Sequence, residues 1–269
     1  MDGINAKTRR LSWVYIFLIG ITIQSCTMVK VSVSDKRNPV LQTVDFNENL
    51  KITSWGTIKV NKSDFFPSSF QIVSGGKTIY IDPVETSTSE KADYIFITHA
   101  HPDHYSLKTI ERIVKPETIF ICPREVSKKL SKKGYTTRTV VPNDSIVMDG
   151  INSEAVHAYN TKNVFLWIKA HPKSKQNVGY ILTLGDDIRI YHAGDTDYIP
   201  EMENIKDIDI AMVPIGGDNL TMNIDEASKI VNKIKPKLVI PMHYELKNKA
   251  DLTKFKSLVD KDITVSILE

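Results

Sequence analysis

His99-Ala100-His101-Pro102-Asp103-His104 limits what this 269-residue chain can fold into more than any other stretch. Directly before it, Tyr94-Ile95-Phe96-Ile97 is a short apolar run of strand-forming residues and reads as a buried strand. Thr98 ends that strand, the histidines follow in a loop, and Pro102 bars an early helix. Three imidazoles and a carboxylate crowded into six residues are costly at the edge of a core unless something compensates them. A divalent cation does so, because neutral imidazole and carboxylate are ligands that zinc and similar ions prefer. A His-rich surface turn is the competing reading, and the buried strand before the motif argues against it.

His-x-His on a loop supplies two ligands to one ion, which leaves Asp103 and His104 free to turn to a second. Further ligands must come from other strand ends. Tyr191-His192-Ala193-Gly194-Asp195 is one such place, where Gly194 permits a sharp turn and the Asp195 carboxylate has two oxygens with which to bridge two cations. His192 beside it reads as a core or supporting residue. Leu238-Val239-Ile240-Pro241-Met242-His243-Tyr244 is another: His243 follows an apolar strand and could serve the second ion. Tyr244 has two readings, a hydroxyl aimed at substrate or a packed aromatic. The third ligand of the first ion is open between His157 and His171, both near Ala158-Tyr159-Asn160.

The hexapeptide resembles the His-x-His-x-Asp-His motif of the metallo-β-lactamase superfamily, with a likeness running from about Gly56 to the C-terminus. Within it the chain looks like the branch of ascorbate-6-phosphate lactonase-like metal-dependent hydrolases. That resemblance implies metal ligation by His99, His101, Asp103, His104, Asp195 and His243, with Asp195 bridging. Relatives with Ala-Tyr-Asn followed by His-Pro-Lys and a Gly-Tyr strand favour His171 over His157. Asp82 of the Asp82-Pro83 pair is expected either to orient a ligand histidine or to form a turn. The implied chemistry is hydrolysis of a small-molecule lactone, ester or phosphodiester by a hydroxide bridging two divalent ions, zinc first and manganese or iron otherwise, with Asp103 orienting the nucleophile. A phospholipid-type phosphodiesterase is a second reading, and a catalytically inert metal-dependent binding or sensor lipoprotein is a third.

The rest of the chain reads as α/β. Strands are expected over 57–60, 69–73, 77–81, 118–121, 179–184, 188–191, 208–213 and 238–241, with helices from Ser106, over 124–132, from Asn223 and from Asp251. Gly75-Gly76 marks a hairpin turn, and Asn223 with Glu226 a capping box. Two β-rich halves with helices between them predict a four-layer αββα sandwich. The resemblance implies the same fold.

The N-terminus has a different character. Lys7, Arg9 and Arg10 precede an apolar run from Leu11 to Ile23, and Ile23-Gln24-Ser25-Cys26 resembles a bacterial lipobox. Residues 1–25 are therefore expected to be a lipoprotein signal peptide, with Cys26 lipidated, residues 26–53 a polar tether and residues 54–269 the hydrolase domain. An uncleaved anchor helix is the alternative; either way the expected location is the bacterial cell envelope, with the domain outside the cytoplasm. Cys122, in Ile119-Phe120-Ile121-Cys122, reads as a small buried hydrophobe. A net charge of +3 with dispersed basic residues gives no argument for a nucleic-acid partner, so none is expected, and Lys128, Lys129, Lys132 and Lys133 read as a solvated helix face.

Overall fold

The computed structural model describes residues 29–269, so the expected signal peptide and Cys26 lie outside the described residues. In chain order the first half forms β1 (Val31–Val33), β2 (Thr43–Asn47), β3 (Leu50–Ser54), β4 (Ile58–Val60), β5 (Ser63–Phe66), β6 (Phe70–Ser74), β7 (Lys77–Ile81), β8 (Tyr94–Phe96), β9 (Ile119–Pro123) and β10 (Thr137–Val140). Helix α1 (Leu107–Ile113) and α2 (Arg124–Ser131) flank β9. The second half forms β11 (Ser145–Met148), β12 (Ile151–His157), β13 (Val178–Leu184), β14 (Ile188–His192), β15 (Ile210–Pro214), β16 (Leu238–Met242), β17 (Tyr244–Glu245) and β18 (Thr264–Val265). Helices α3 (Ile224–Ile234) and α4 (Lys249–Leu258) lie between β15 and β18 in sequence.

Alternation along the strands decides the layers. In β7 to β9, Ile79, Ile81, Tyr94, Phe96 and Ile121 join the core shared with the second sheet. Their neighbours Tyr80, Ile95, Phe120 and Cys122 join a separate core with α1 and α2. Side chains on a strand point to opposite faces in turn, so a sheet that is apolar on both faces must be covered on both. The first sheet runs β10-β9-β8-β7-β6-β3-β2 and the second β11-β12-β13-β14-β15-β16-β18. Buried residues of α3 and α4, among them Val231 and Phe255, complete the central core from the far side of the second sheet. The result is a four-layer αββα sandwich. Cys122 is fully buried, and burial pushes its thiol up to about 12, which fits its reading as a small hydrophobe.

Local signals fix the connections. Gly75 and Gly76 both have positive φ, 54° and 75°, as the tight β6–β7 hairpin requires. Ser106 caps α1 by accepting from the Thr109 N–H, and Asn223 and Glu226 form a reciprocal capping box on α3. The expected last helix starts two residues before Asp251, and β5 is an element the sequence pattern did not suggest.

The tether expected over residues 26–53 is corrected by the structure. β3 sits between β6 and β2, with Leu50 and Ile52 buried, so the folded domain begins by Val31 rather than at 54. Only alternate residues of β3 face the core and β2 is a polar edge strand, so composition alone reads the stretch as loop. β1, β4, β5 and β17 form a further small sheet that ties the start of the described chain to the residues after His243.

Candidate metal centre

Strand ends on both sheets deliver the donors to one place. β8 and its extension through Ile97 lead into His99, β14 into Asp195, and β16 into His243. The parallel pairing of β14 with β15 and of β15 with β16 aligns the last two ends. His99, His101 and His171 form one donor group, and Asp103, His104, Asp195 and His243 a second, with donor atoms in each group within 4.8 Å of one another. His171 Nε2 lies 3.1 Å from His101 Nδ1. His157 lies elsewhere, at the end of β12, with its Nε2 3.4 Å from the Asn143 amide.

Asp195 joins the groups. Its Oδ2 lies 3.8 Å from His99 Nε2 and 3.5 Å from His171 Nε2 on one side, and 3.3 Å from His104 Nε2 and 2.9 Å from His243 Nε2 on the other. Asp103 Oδ2 stands 3.7 Å from both His104 Nε2 and His243 Nε2, at the edge of the cleft.

Three of the rings, those of His99, His104 and His171, are turned by a partner behind them. His104 Nδ1 donates to Asp82 Oδ2 at 2.7 Å, while Thr98 donates its N–H to Asp82 Oδ1 and its hydroxyl to Asp82 Oδ2, both at 2.7 Å. His99 Nδ1 donates in turn to the Thr98 hydroxyl at 3.0 Å. His171 Nδ1 donates to Asn160 Oδ1 at 2.9 Å. With the proton held on Nδ1, the Nε2 lone pairs of His99, His104 and His171 all face the same space. Asp82 is thus an orienting residue rather than a turn former alone, and it holds a φ of 46° to do so. His192 is fully buried: its Nε2 donates to the Ser68 carbonyl at 3.0 Å and its Nδ1 accepts from the Gly194 N–H at 3.3 Å, so neither nitrogen is free for a cation. The Tyr244 hydroxyl faces Glu269 Oε1 at 3.2 Å, and its ring is buried against Phe66, which makes it a packed aromatic.

Two positions demand glycine or strain. Gly194 has φ of +64°, and a Cβ there would stand 2.9 Å from the Val178 carbonyl oxygen. Gly216 passes so close beneath His243 that a Cβ would overlap the His243 carbonyl oxygen at 2.3 Å. His243 itself holds a φ of 52°, a conformation costly for a non-glycine residue that persists where surrounding contacts impose it.

The donor set fits divalent cations. Buried and without a hydrogen-bond partner are His99 Nε2, His104 Nε2 and Asp195 Oδ1, three atoms of the donor residues themselves. Unsatisfied buried polar atoms are rare and call for a cause, and imidazole nitrogens with carboxylate oxygens suit zinc, manganese and iron. The metal-free electrostatics split the two groups. Burial pushes His171 down to about 4 against the pull of Asp195, so its ring is neutral at neutral pH. Burial also opposes charge on His243, but Asp195 and Asp103 outweigh it and raise His243 to about 9. Burial acts to raise Asp103, but His104 and His243 overcome it and hold its carboxyl at about 2.

The sequence pattern missed two supporting residues. Asn160 accepts from both the backbone N–H and Nδ1 of His171. Asp197, fully buried, accepts from the Asn160 amide and from the Thr161 and Lys162 N–H groups, which fixes the loop leading to His171. The only sequence hint was the Asp195-Thr196-Asp197 spacing.

A sandwich of two β-sheets with paired His/Asp donor groups at their strand ends defines a metal-dependent hydrolase of the metallo-β-lactamase class. The chain belongs to that superfamily: the family model described as a beta-lactamase superfamily domain matches residues 65–243, from β5 to the last histidine of the donor set. It is 34% identical over 214 residues to a UPF0173 metal-dependent hydrolase from Pyrococcus horikoshii, covering 73% of this chain and 91% of that one. A metal-dependent hydrolase structure from Parabacteroides distasonis superposes with a TM-score of 0.68 at 29% identity, covering 86% of this chain and 98% of that one. A metallo hydrolase from Ignicoccus hospitalis gives 0.61 at 28% identity, covering 76% and 93%.

Proposed function

We propose that the chain hydrolyses a small-molecule lactone, ester or phosphodiester with two divalent cations, zinc in the first instance and manganese or iron otherwise. The observation that carries this reading is Asp195, whose Oδ2 lies within 3.8 Å of four Nε2 atoms drawn from both donor groups. One ion would be held by His99, His101, His171 and Asp195, the other by His104, His243, Asp195 and Asp103. When bound, such ions supply a Lewis acid for a carbonyl or phosphoryl oxygen and a water acidic enough to react near neutral pH.

The chain's own residues do the rest. Asp82 and Asn160 keep His104 and His171 from rotating, through hydrogen bonds of 2.7 and 2.9 Å. Asp103, ionised at neutral pH because its carboxyl is held at about 2, is an acceptor at the cleft edge, placed to orient a nucleophilic water. Phe65 packs edge-on against His243 with ring centroids 4.6 Å apart and shields that ligand from bulk water. The cleft above the donors has a volume of about 490 Å³, within the range of small-molecule sites. A phospholipid-type phosphodiester is the second reading, favoured by the apolar Phe65 and Leu220 on its walls.

Outside the described residues, Leu11–Ile23 and Cys26 support attachment to a bacterial envelope membrane through lipid on Cys26, with the domain outside the cytoplasm. The test of function is a panel of lactones, esters and phosphodiesters, a diacyl phospholipid included, assayed with chelator-stripped and metal-restored protein. Turnover that disappears on chelation and returns with metal is expected. A metal-loaded protein inert to the whole panel contradicts hydrolysis and leaves a metal-dependent binding lipoprotein.

A further inference from the structure

Between Asn160, which orients His171, and His171 itself, the chain makes a short excursion with an unusual surface. Val164, Phe165, Leu166, Trp167 and Ile168 are 39%, 65%, 62%, 79% and 50% exposed. Five consecutive large apolar side chains left in water are far outside what a soluble surface normally shows. They are not a loose loop. Ile168 donates to the Phe165 carbonyl at 2.7 Å, Val164 donates to the Ile168 carbonyl at 2.8 Å, and the Asn163 amide donates to the Leu166 carbonyl at 2.7 Å. The hairpin is braced at its base, where the Asn219 amide donates to the Asn163 carbonyl at 3.0 Å. The structure therefore holds the apolar tip out and fixed.

The position of this hairpin ties it to the start of the domain. Ala170 and Leu220, beside its two ends, line the active-site cleft, and Asn61 and Lys62 line the same cleft. Asn61 is also where the described chain begins: Lys30 donates to Asn61 Oδ1 at 3.1 Å, and Asn61 donates back to the Lys30 carbonyl at 2.8 Å. Cys26 lies four residues before Lys30, which allows a separation of at most about 14 Å. A lipid on Cys26 would thus hold the rim of the cleft, and not the back of the domain, close to a bilayer. The charge around the rim fits anionic headgroups, since Lys30, Lys62 and Lys169 form no ion pair among the described residues.

We propose that the mouth of the metal cleft docks on an anionic bilayer, with the Val164–Ile168 hairpin inserted into the headgroup layer beside the lipid on Cys26. This inference rests on the membrane attachment proposed above and is independent of the reaction. Interfacial insertion of aromatic and aliphatic side chains next to lysines is the usual physics of membrane-surface binding.

Trp167 is a built-in reporter, because Trp55 is buried and the remaining tryptophan, Trp13, lies outside the described residues in the stretch expected to be a leader. Membrane-extracted, lipidated protein, carrying Trp13→Phe so that any unprocessed leader adds no signal, is reconstituted into phosphatidylcholine–phosphatidylglycerol vesicles with and without bromine on the acyl chains, and vesicle flotation is followed alongside emission. Flotation together with quenching by the brominated lipid, and loss of that quenched component in a further Trp167→Phe variant, is the expected result. Flotation with Trp167 open to aqueous iodide and untouched by brominated lipid overturns the docking while leaving the attachment standing. A blue-shifted Trp167 that brominated lipid does not quench also overturns it, in favour of a second copy of the chain or the Leu11–Ile23 run covering the hairpin. Absence of flotation overturns both the docking and the attachment.

Discussion

Asp195 carries the heaviest electrostatic duty in the molecule: it is buried, and four histidine nitrogens converge on one of its oxygens. Around it the identities of the histidines are separable by substitution. His171→Ala is expected to remove one ion, weakening its binding by more than the ~10–100-fold that loss of an outer partner costs, with activity falling in step. His157→Ala should leave both ions in place, since its ring contacts Asn143 and not the donors. Metal titration of both variants decides, and an emptied site in His157→Ala would reverse the assignment. The two groups should also differ in pH. His243 is raised to about 9 in the metal-free chain, above the ordinary histidine value, so its proton stabilises the metal-free fold below about pH 6.5 and that contribution is lost as pH rises through 9. A cation entering the His104–His243 group must displace that proton, so its affinity should rise with pH up to about 9. His171, lowered to about 4, is already neutral at pH 7, and loading of its group should be nearly flat from neutral pH upward. Calorimetry in buffers of different ionisation heat should find proton release at pH 7 for one ion and little for the other. Most donors are legible in the sequence because ligand histidines and aspartates follow strand ends. The choice between His171 and His157 is not, because it depends on Asn160 and Asp197, whose amide and carboxylate look like ordinary loop chemistry until the loop is folded.

At the scale of elements, the strand-to-loop turn at Gly194 aims Asp195 into the site. Gly194→Ala forces a side chain into φ of +64° and against the Val178 carbonyl at 2.9 Å. Strain of this kind costs about 1–3 kcal/mol, so thermal unfolding should fall by several degrees and metal affinity with it. An unchanged melting temperature would show that the turn relaxes freely. The strands and helices with strong periodicity or caps are readable in advance: β7, β8, α1 and α3 lie within a residue or two of their expected spans. β3 is not, because Leu50 and Ile52 are only two inward residues among polar neighbours and their partners in β6 are distant in sequence. A strand so short is specified by the sheet it joins more than by its own composition.

At the scale of the whole molecule, the four layers bring donors from residues 99 to 243 together across two sheets, and Lys30, just before β1, meets Asn61 on the wall of the same cleft. If the leader is a lipoprotein signal, Cys26→Ser should abolish lipid attachment and slow processing. Detergent partitioning and N-terminal mass analysis check this, and an unchanged membrane fraction with an intact N-terminus would mean an anchor helix. The central claim is that two cations share Asp195, and elemental analysis of purified wild-type and Asp195→Asn protein tests it most directly. A shared carboxylate predicts close to two ions per wild-type chain and depletion of both sites in the variant; a single ion in the wild type, or full occupancy in Asp195→Asn, would contradict it.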